Sequence, residues 1–86
     1  MLTVKRFTAD WCGPCRMVAP IMNELQSEFS DVRFETIDVD SYPSQAEEYG
    51  VRNIPLVLFI KNGNVLDRLA GVQSKQVYTQ AINEWK

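Results

Sequence analysis

Two cysteines, Cys12 and Cys15, lie in the segment Trp-Cys-Gly-Pro-Cys at residues 11–15, and the chain has no others. A pair at this spacing can form a structural disulfide, supply half of a zinc site or act as a redox couple. A disulfide across so short a loop adds little chain-entropy stabilisation. A four-cysteine zinc site needs two further cysteines from a second chain, and there is no histidine to replace them. Reversible dithiol–disulfide chemistry is therefore favoured, and no metal or other cofactor is expected.

The composition limits the classes of protein to consider. With 86 residues, 45% of them hydrophobic and 23% charged, it predicts one globular domain over residues 1–86. The net charge of −2 argues against nucleic acid or an acidic membrane surface as a partner. No signal peptide and no apolar run of about 18 residues are found, so a cytoplasmic protein is expected. Thiols stay reduced in that compartment, which favours a redox-active cysteine pair over a structural one.

Hydrophobic patterning predicts an α/β protein with elements in the order β-α-β-α-β-β-α. Strands are predicted at residues 2–7, 32–38, 56–60 and 65–70. The third strand is apolar on both faces and is therefore expected at the centre of the sheet. A hairpin turn around Asn62-Gly63 joins the last two strands. The first two strands are joined through a helix, so they are expected to be parallel with a right-handed crossover.

Three helices are predicted from apolar residues that recur at helical spacing. The first begins near Gly13, and its apolar face consists of Val18, Ile21, Leu25 and Phe29. The second spans residues 42–49 and ends at Gly50. Ser74 is predicted to cap the third helix. The residues that this helix is expected to bury are Val77, Ala81 and Trp85.

The cysteine pair falls where the first strand gives way to the first helix. Cys12 is expected at the N-terminal end of that helix, where unpaired N–H groups and the helix dipole favour an anion. A thiolate is such an anion, so Cys12 is predicted to have a lowered pKa and to be the nucleophile. Cys15, one turn further and more covered, is predicted to be the resolving thiol. Gly13 permits a tight turn, and Pro14 suits a first helical turn.

The chain resembles the thioredoxin family over nearly its whole length. The resemblance is carried by Trp-Cys-Gly-Pro-Cys at 11–15, Pro20 in the first helix, Tyr-Gly-Val-Arg-Asn-Ile-Pro at 49–55, Lys-Asn-Gly at 61–63 and Ala70-Gly71. It implies a minimal thioredoxin fold, with a four-stranded mixed sheet and helices packed on it.

The resemblance also implies a substrate-binding groove beside the cysteines. The Ile54–Pro55 peptide bond is expected to be cis and to face them, with the backbone of Ile54 offered to an extended substrate segment. The groove is completed by Trp11, Gly13, Pro14, Ala70 and Gly71. Each of these residues also has a plainer interpretation, as a packing or turn residue.

The sequence departs from the family's pattern at its beginning. The family usually has a further strand and helix before the strand that leads to the cysteines, and here that strand begins near Met1. The predicted sheet therefore has four strands, in the spatial order second, first, third, fourth. One face of the first two strands is polar, so we expect that face to be partly open to water, with Lys5 and Glu35 as a cross-strand ion pair.

A second departure concerns proton transfer. Where the resemblance places a buried aspartate, six residues before the first cysteine, this chain has Arg6, and Phe34 replaces the lysine that accompanies it. One hypothesis is that Arg6 reaches the cysteines and favours their thiolates, while water, Asp10 or Asp38 relays protons. The alternative is that Arg6 extends to solvent or pairs with a carboxylate away from the thiols.

The leading functional prediction is a monomeric thioredoxin-type protein-disulfide reductase. By resemblance, its electron donor is thioredoxin reductase and its targets are disulfide-containing proteins. A glutathione-dependent, glutaredoxin-like reductase is an alternative, although no acidic glutathione-binding pair is visible after Gly71. A binding or processivity subunit that does not need its thiols is another.

Overall fold

Four strands and three helices occur in the predicted order in the computed structural model, which describes residues 1–86. The predicted bounds are within one or two residues of the observed ones. The observed elements are β1 (Leu2–Thr8), α1 (Cys15–Glu28), β2 (Arg33–Asp38), α2 (Pro43–Glu48), β3 (Leu56–Lys61), β4 (Asn64–Ala70) and α3 (Lys75–Trp85). None of the three helices combines the length and the apolar composition needed to cross a bilayer.

The four strands form one mixed sheet in the order β2-β1-β3-β4, as predicted. β1 is parallel to β2 and antiparallel to β3, and β3 is antiparallel to β4. Because β1 and β2 are parallel, their carboxyl ends meet at one edge, where Thr8 lies opposite Asp38. The loop that leads to Cys12 and the loop that follows β2 therefore start side by side.

α1 and α3 cover one face of the sheet and enclose the main hydrophobic core. Eleven buried residues form this core, including Val4 and Phe59 from the sheet, Leu25 from α1 and Ile82 from α3. Burial of such side chains stabilises a fold by about 1.5–3 kcal/mol each. This core fixes α1 against β1, and so fixes the position of the cysteines at the start of α1.

The opposite face of the sheet has a smaller apolar cluster and a polar end. The cluster consists of Phe7, Ile37, Leu56, Leu58 and Ile60. At the polar end the predicted pair is present, with Lys5 Nζ 3.4 Å from Glu35 Oε1. Lys5 also donates to Gln45 Oε1 at 3.0 Å and lies 4.7 Å from the centre of the Tyr49 ring. The Lys5 side chain is thus less exposed to solvent than the lysine of an ordinary surface ion pair, because Gln45 and Tyr49 lie over it.

The buried face of α3 differs from the prediction. The buried residues are Tyr78, Ala81 and Ile82, whereas Val77 and Trp85 are only half-buried. The prediction is confirmed for Ala81 and wrong for Val77 and Trp85 as buried residues, although Trp85 packs against the main core with part of its ring. The Trp85 indole stays at the edge because its Nε1–H donates to Asp67 Oδ2 at 3.3 Å. The predicted cap is confirmed, with Ser74 Oγ accepting from the Val77 N–H at 3.3 Å.

The β3–β4 turn has the backbone that its residues predict. Asn62 and Gly63 both have positive φ, at 53° and 79°. Two consecutive positive φ angles are typical of the tight hairpin turns that asparagine and glycine favour. This turn lies at the opposite end of the sheet from the cysteines and positions β4, whose far end reaches Ala70.

Candidate active site

Cys12 and Cys15 form a disulfide immediately after β1, at the start of α1. Their sulfur atoms are 2.16 Å apart and their Cα atoms 5.4 Å apart. Both residues are buried in this oxidised state, with 4% and 2% of their surface exposed. The expected difference in exposure between the two cysteines is therefore small when the disulfide is closed. No group of metal-ligating side chains accompanies the pair.

The backbone at the start of α1 supplies a hydrogen bond to the first cysteine. The Cys15 N–H donates to Cys12 Sγ over 3.2 Å. The segment between the cysteines is already turned, since the Arg16 N–H donates to the Gly13 carbonyl at 3.0 Å. Pro14 has φ −59° and directly precedes the first helical residue. A sulfur in this place lies at the positive end of the helix dipole, which stabilises it as a thiolate once the disulfide is reduced.

The loop before β3 lies against the disulfide. Ile54 packs on the small cluster formed by Ala9 and the two cysteines. The Ile54–Pro55 peptide bond is cis, as predicted from the resemblance. The Pro55 carbonyl accepts from the Gly71 N–H at 2.9 Å, so the residues after β4 are tied to the same place. Gly71 has a φ of 74°, which non-glycine residues rarely adopt.

Trp11 presents most of its ring to solvent beside the disulfide. Trp11 is one of the exposed large apolar residues, with 68% of its surface accessible to solvent. The indole is nevertheless held in place, because Nε1–H donates to Asp40 Oδ2 at 2.8 Å. Asp40 was not among the predicted site residues. The available signal was that Asp40 follows β2, whose end lies beside the end of β1.

Arg6 and Asp10 line the same open pocket as Cys15. The pocket has a volume of about 390 Å³ and also includes Thr8, Ala9, Arg16 and Ala19. The Arg6 Nη2–H donates to Thr36 Oγ1 at 3.2 Å, while its Nε is buried with no hydrogen-bond partner. Burial lowers the pKa of the Arg6 guanidinium, and the Tyr78 phenol opposes this effect. Arg6 is therefore a partly desolvated cation, with no carboxylate beside it.

Asp38 has a structural partner in the turn that follows β2. Its Oδ1 accepts from the backbone N–H groups of Asp40 at 2.8 Å and Ser41 at 3.2 Å. Asp38 does not line the pocket beside Cys15. Asp10 is exposed, and its backbone carbonyl accepts from the Arg16 guanidinium at 3.1 Å. Of the two carboxylates considered for proton relay, the structure brings only Asp10 to this pocket.

Comparison with known proteins identifies the family. The family model described as Thioredoxin matches residues 1–84. The chain belongs to the thioredoxin family. The thioredoxin of Chlamydia caviae is 38% identical over 78 residues, covering 91% of this chain and 76% of that protein. The crystal structure of Fasciola hepatica thioredoxin superposes with a TM-score of 0.92 at 38% identity, covering 99% of this chain and 81% of that one. Nicotiana alata thioredoxin gives a TM-score of 0.94 at 36% identity, covering 99% and 73%.

Family membership and the Cys12–Cys15 disulfide together make this chain a thiol–disulfide oxidoreductase, as the sequence predicted. The fold prediction is confirmed in the same way, since the structural neighbours are thioredoxins and the four-stranded mixed sheet is present.

Tyr78 holds the loop after β4 beside the active site, and its role was not predicted from the sequence. Its ring is completely buried in the main core. Its hydroxyl donates to the Gly71 carbonyl at 3.4 Å and accepts from the Gln73 N–H at 3.3 Å. Tyr78 thereby links α3 to the loop after β4. The position was hidden because it lies one residue away from the stripe that the sequence predicted to be buried.

Replacing Tyr78 by Phe is expected to lower the free energy of unfolding by about 0.5–1.5 kcal/mol, since two backbone groups lose their partner.

Burial raises the pKa of the Tyr78 phenol above its ordinary value of 10.0. The native state therefore holds this proton more tightly than the unfolded chain, and that stabilisation is present below pH 10 and lost as the pH rises through the raised pKa. Urea unfolding of both proteins above pH 10 should show wild-type stability falling more steeply than that of Y78F. Parallel pH profiles would contradict this.

Proposed function

We propose that this chain reduces disulfides in proteins, with Cys12 as the attacking thiol and Cys15 as the resolving thiol. The observation that carries this assignment is the hydrogen bond from the Cys15 N–H to Cys12 Sγ at the N-terminus of α1. A nearby N–H and the helix dipole lower the pKa of a thiol, and a thiolate is the attacking species in disulfide exchange.

In the first step, the Cys12 thiolate attacks one sulfur of the substrate disulfide. The Cys12–substrate S–S bond forms as the substrate S–S bond breaks, and the departing substrate thiolate takes up a proton. In the second step, Cys15 loses its proton and its thiolate attacks Cys12 Sγ. The Cys12–Cys15 bond forms, and the second substrate sulfur leaves and is protonated. The substrate gains two electrons and two protons, and the reductase ends as the disulfide seen here.

The substrate segment is proposed to lie in the groove beside the disulfide. The exposed Trp11 ring, held by Asp40, supplies one apolar wall. Ile54 is partly buried against the cysteines, and its backbone makes no hydrogen bond to other backbone groups, so it can pair with an extended segment. The other residues assigned to this groove are Gly13, Pro14, Pro55, Ala70 and Gly71. All of these except Pro55 are exposed, and Pro55 and Gly71 are joined by their backbone hydrogen bond.

Arg6 is proposed to favour the thiolate of Cys15 during the second step. The charge of Arg6 is partly desolvated and lacks a carboxylate, so a thiolate formed in the shared pocket would be attracted to it. Asp10, in the same pocket, is the carboxylate best placed to exchange protons with water near Cys15. Asp38 is not assigned this role, because both backbone groups it binds belong to a turn.

Replacing Arg6 by Gln is expected to raise the pKa of the Cys15 thiol and to slow the resolving step by roughly two- to tenfold at neutral pH, which corresponds to about one pKa unit or less of lost charge interaction. Arg6→Lys keeps the charge and serves as the matched control. Thiolate absorbance of the reduced protein as a function of pH, with single-turnover rates, measures both effects. Equal titration curves for R6Q and wild type would show that Arg6 does not act on the thiols.

The electron donor is proposed to be a thioredoxin reductase, and the protein is proposed to work as a cytoplasmic monomer. Family membership supports the donor, and the acidic composition and absence of a spanning helix are compatible with this compartment. NADPH-coupled reduction of insulin tests the proposal when run once with thioredoxin reductase and once with glutathione plus glutathione reductase. We expect turnover with thioredoxin reductase. Turnover with glutathione alone would instead make the protein a glutaredoxin-like reductase.

A further inference from the structure

Only some of the positively charged side chains of this acidic chain form ion pairs with carboxylates. Of the nine lysines and arginines, those in ion pairs are Lys5, Arg33, Lys75 and Lys86. Lys61 instead donates to backbone carbonyls at the end of α3. The remaining four, which have no carboxylate partner, are Arg6, Arg16, Arg52 and Arg68.

These four arginines line two pockets that flank the redox site. Arg6 and Arg16 line the pocket beside Cys15, together with the acidic residue Asp10, which forms no ion pair with either of them. The other pocket has a volume of about 190 Å³ and is lined by Gly50, Arg52, Asn53, Leu56, Arg68 and Ala70. No carboxylate lines this second pocket, so its positive charge is not offset locally.

The second pocket adjoins the proposed substrate groove. Arg52 and Asn53 directly precede Ile54, the residue that packs on the disulfide. On the other side, Ala70 is the register partner of Leu56 and is followed by Gly71, whose N–H is bonded to the Pro55 carbonyl. A substrate segment in the groove therefore reaches the edge of this pocket, because Ala70 belongs to both.

The guanidinium groups have free donors available to a ligand. Arg68 Nη1–H donates to the Tyr49 carbonyl at 3.0 Å, which steadies the side chain and leaves its other N–H groups unused. Arg52 is exposed and makes no hydrogen bond within the chain. The neighbouring Asp67 forms no ion pair with Arg52 or Arg68. Adjacent residues of a strand point to opposite faces, and the Asp67 carboxylate accepts from the Trp85 indole of α3 and from the Arg68 backbone N–H. Planar guanidinium groups with free donors bind carboxylates well.

We propose that Arg52 and Arg68 form a subsite for an acidic side chain of the protein segment whose disulfide is reduced. The subsite rests on the proposed function and adds a substrate preference to it. Side chains of an extended segment alternate in direction, so one of those near the substrate cysteine faces this pocket. Reduction should therefore be faster for disulfides flanked by Glu or Asp at that position.

The test uses synthetic disulfide peptides that differ only by Glu or Gln, placed at each position around one cysteine in turn. Second-order rate constants are measured with wild type, R52Q/R68Q and R33Q. R33Q is the control for loss of a distant cation, because Arg33 lies on β2, at the opposite edge of the sheet from Arg68. It removes one positive charge and is therefore matched in net charge to the single variant R68Q, which is measured beside the double variant. At one position, wild type should prefer Glu by about fivefold at low salt, the upper range for an exposed charge pair.

The Glu-to-Gln rate ratio should fall to about one in R52Q/R68Q and persist in R33Q, and high salt should reduce it in wild type. The variant Arg68→Glu should reduce a peptide with Lys at this position faster than the peptide with Glu, which reverses the charge preference of wild type. Equal wild-type rates for Glu and Gln peptides at every position would overturn the subsite, and so would the same loss of preference in R33Q. Wild type that reduces neither peptide would contradict the proposed function itself.

Discussion

Cys12→Ser should abolish insulin reduction, with a loss of roughly a thousandfold or more, because covalent enzymes lose nearly all turnover without their nucleophile. Cys15→Ser should lose turnover to a similar degree but behave differently with a substrate. Its Cys12 thiolate still attacks the disulfide, and no second thiol releases the product. Intact-mass spectrometry after mixing with a disulfide peptide should therefore show one adduct on C15S, removable by dithiothreitol, and none on C12S.

The double variant C12S/C15S is the control for folding, because it lacks both the disulfide and the thiols. Its thermal unfolding, compared with that of the reduced wild type, shows whether serine at these buried positions disturbs the core. An adduct that forms on C12S through Cys15, with none on C15S, would reverse the two roles. That outcome would also show that the hydrogen bond to Cys12 Sγ does not identify the attacking thiol.

Phe7→Ala is expected to lower the free energy of unfolding by about 3–5 kcal/mol. Phe7 has no exposed surface and packs in the smaller apolar cluster, with its ring 5.9 Å from the Tyr49 ring. It also pairs with Leu56 across the sheet, directly beside Pro55. A small domain has a total stability of about 5–15 kcal/mol, so this single change should remove a large part of it. Urea unfolding of the oxidised protein measures the loss.

Phe7→Leu is the matched control, since it keeps an apolar side chain and should cost no more than about 1.5 kcal/mol. Comparing the unfolding free energies of F7A and F7L isolates the cost of the cavity that alanine leaves, because both variants replace the aromatic ring in the same strand. A loss below about 1 kcal/mol for F7A would show that the second face of the sheet contributes little, contrary to the burial of its cluster. The α2 side of the molecule would then be a loosely packed cover.

Patterning alone predicted the parallel pairing of the first two strands, the central place of the third and the position of the cysteines, whereas the full strand order came from the resemblance to the thioredoxin family. Apolar strands separated by helical patterns define the β-α-β unit, and Trp-Cys-Gly-Pro-Cys falls at its strand-to-helix junction. The position of Lys5 opposite Glu35 also followed from strand alternation, and the register pairs these two residues directly. Such features depend on the local spacing of apolar and polar residues, which can be recognised in the sequence itself.

The features that the sequence did not predict depend on how the elements pack. The buried face of α3 is centred on Tyr78 and not on Val77, because the crossing of the helix over the sheet decides which side faces the core. The bond from Trp11 to Asp40 joins two loops that are distant in sequence. Asp38 looked available for proton transfer, yet its carboxylate completes a turn.

A donor-free single turnover tests the central claim most directly. Fully reduced protein, freed of reductant, is mixed with excess insulin, and thiols on both proteins are counted by mass after rapid alkylation. The account predicts that each chain forms the Cys12–Cys15 disulfide while two thiols appear on insulin. Insulin that gains no thiols, with Cys12 and Cys15 still reduced, would contradict the assignment of a protein-disulfide reductase.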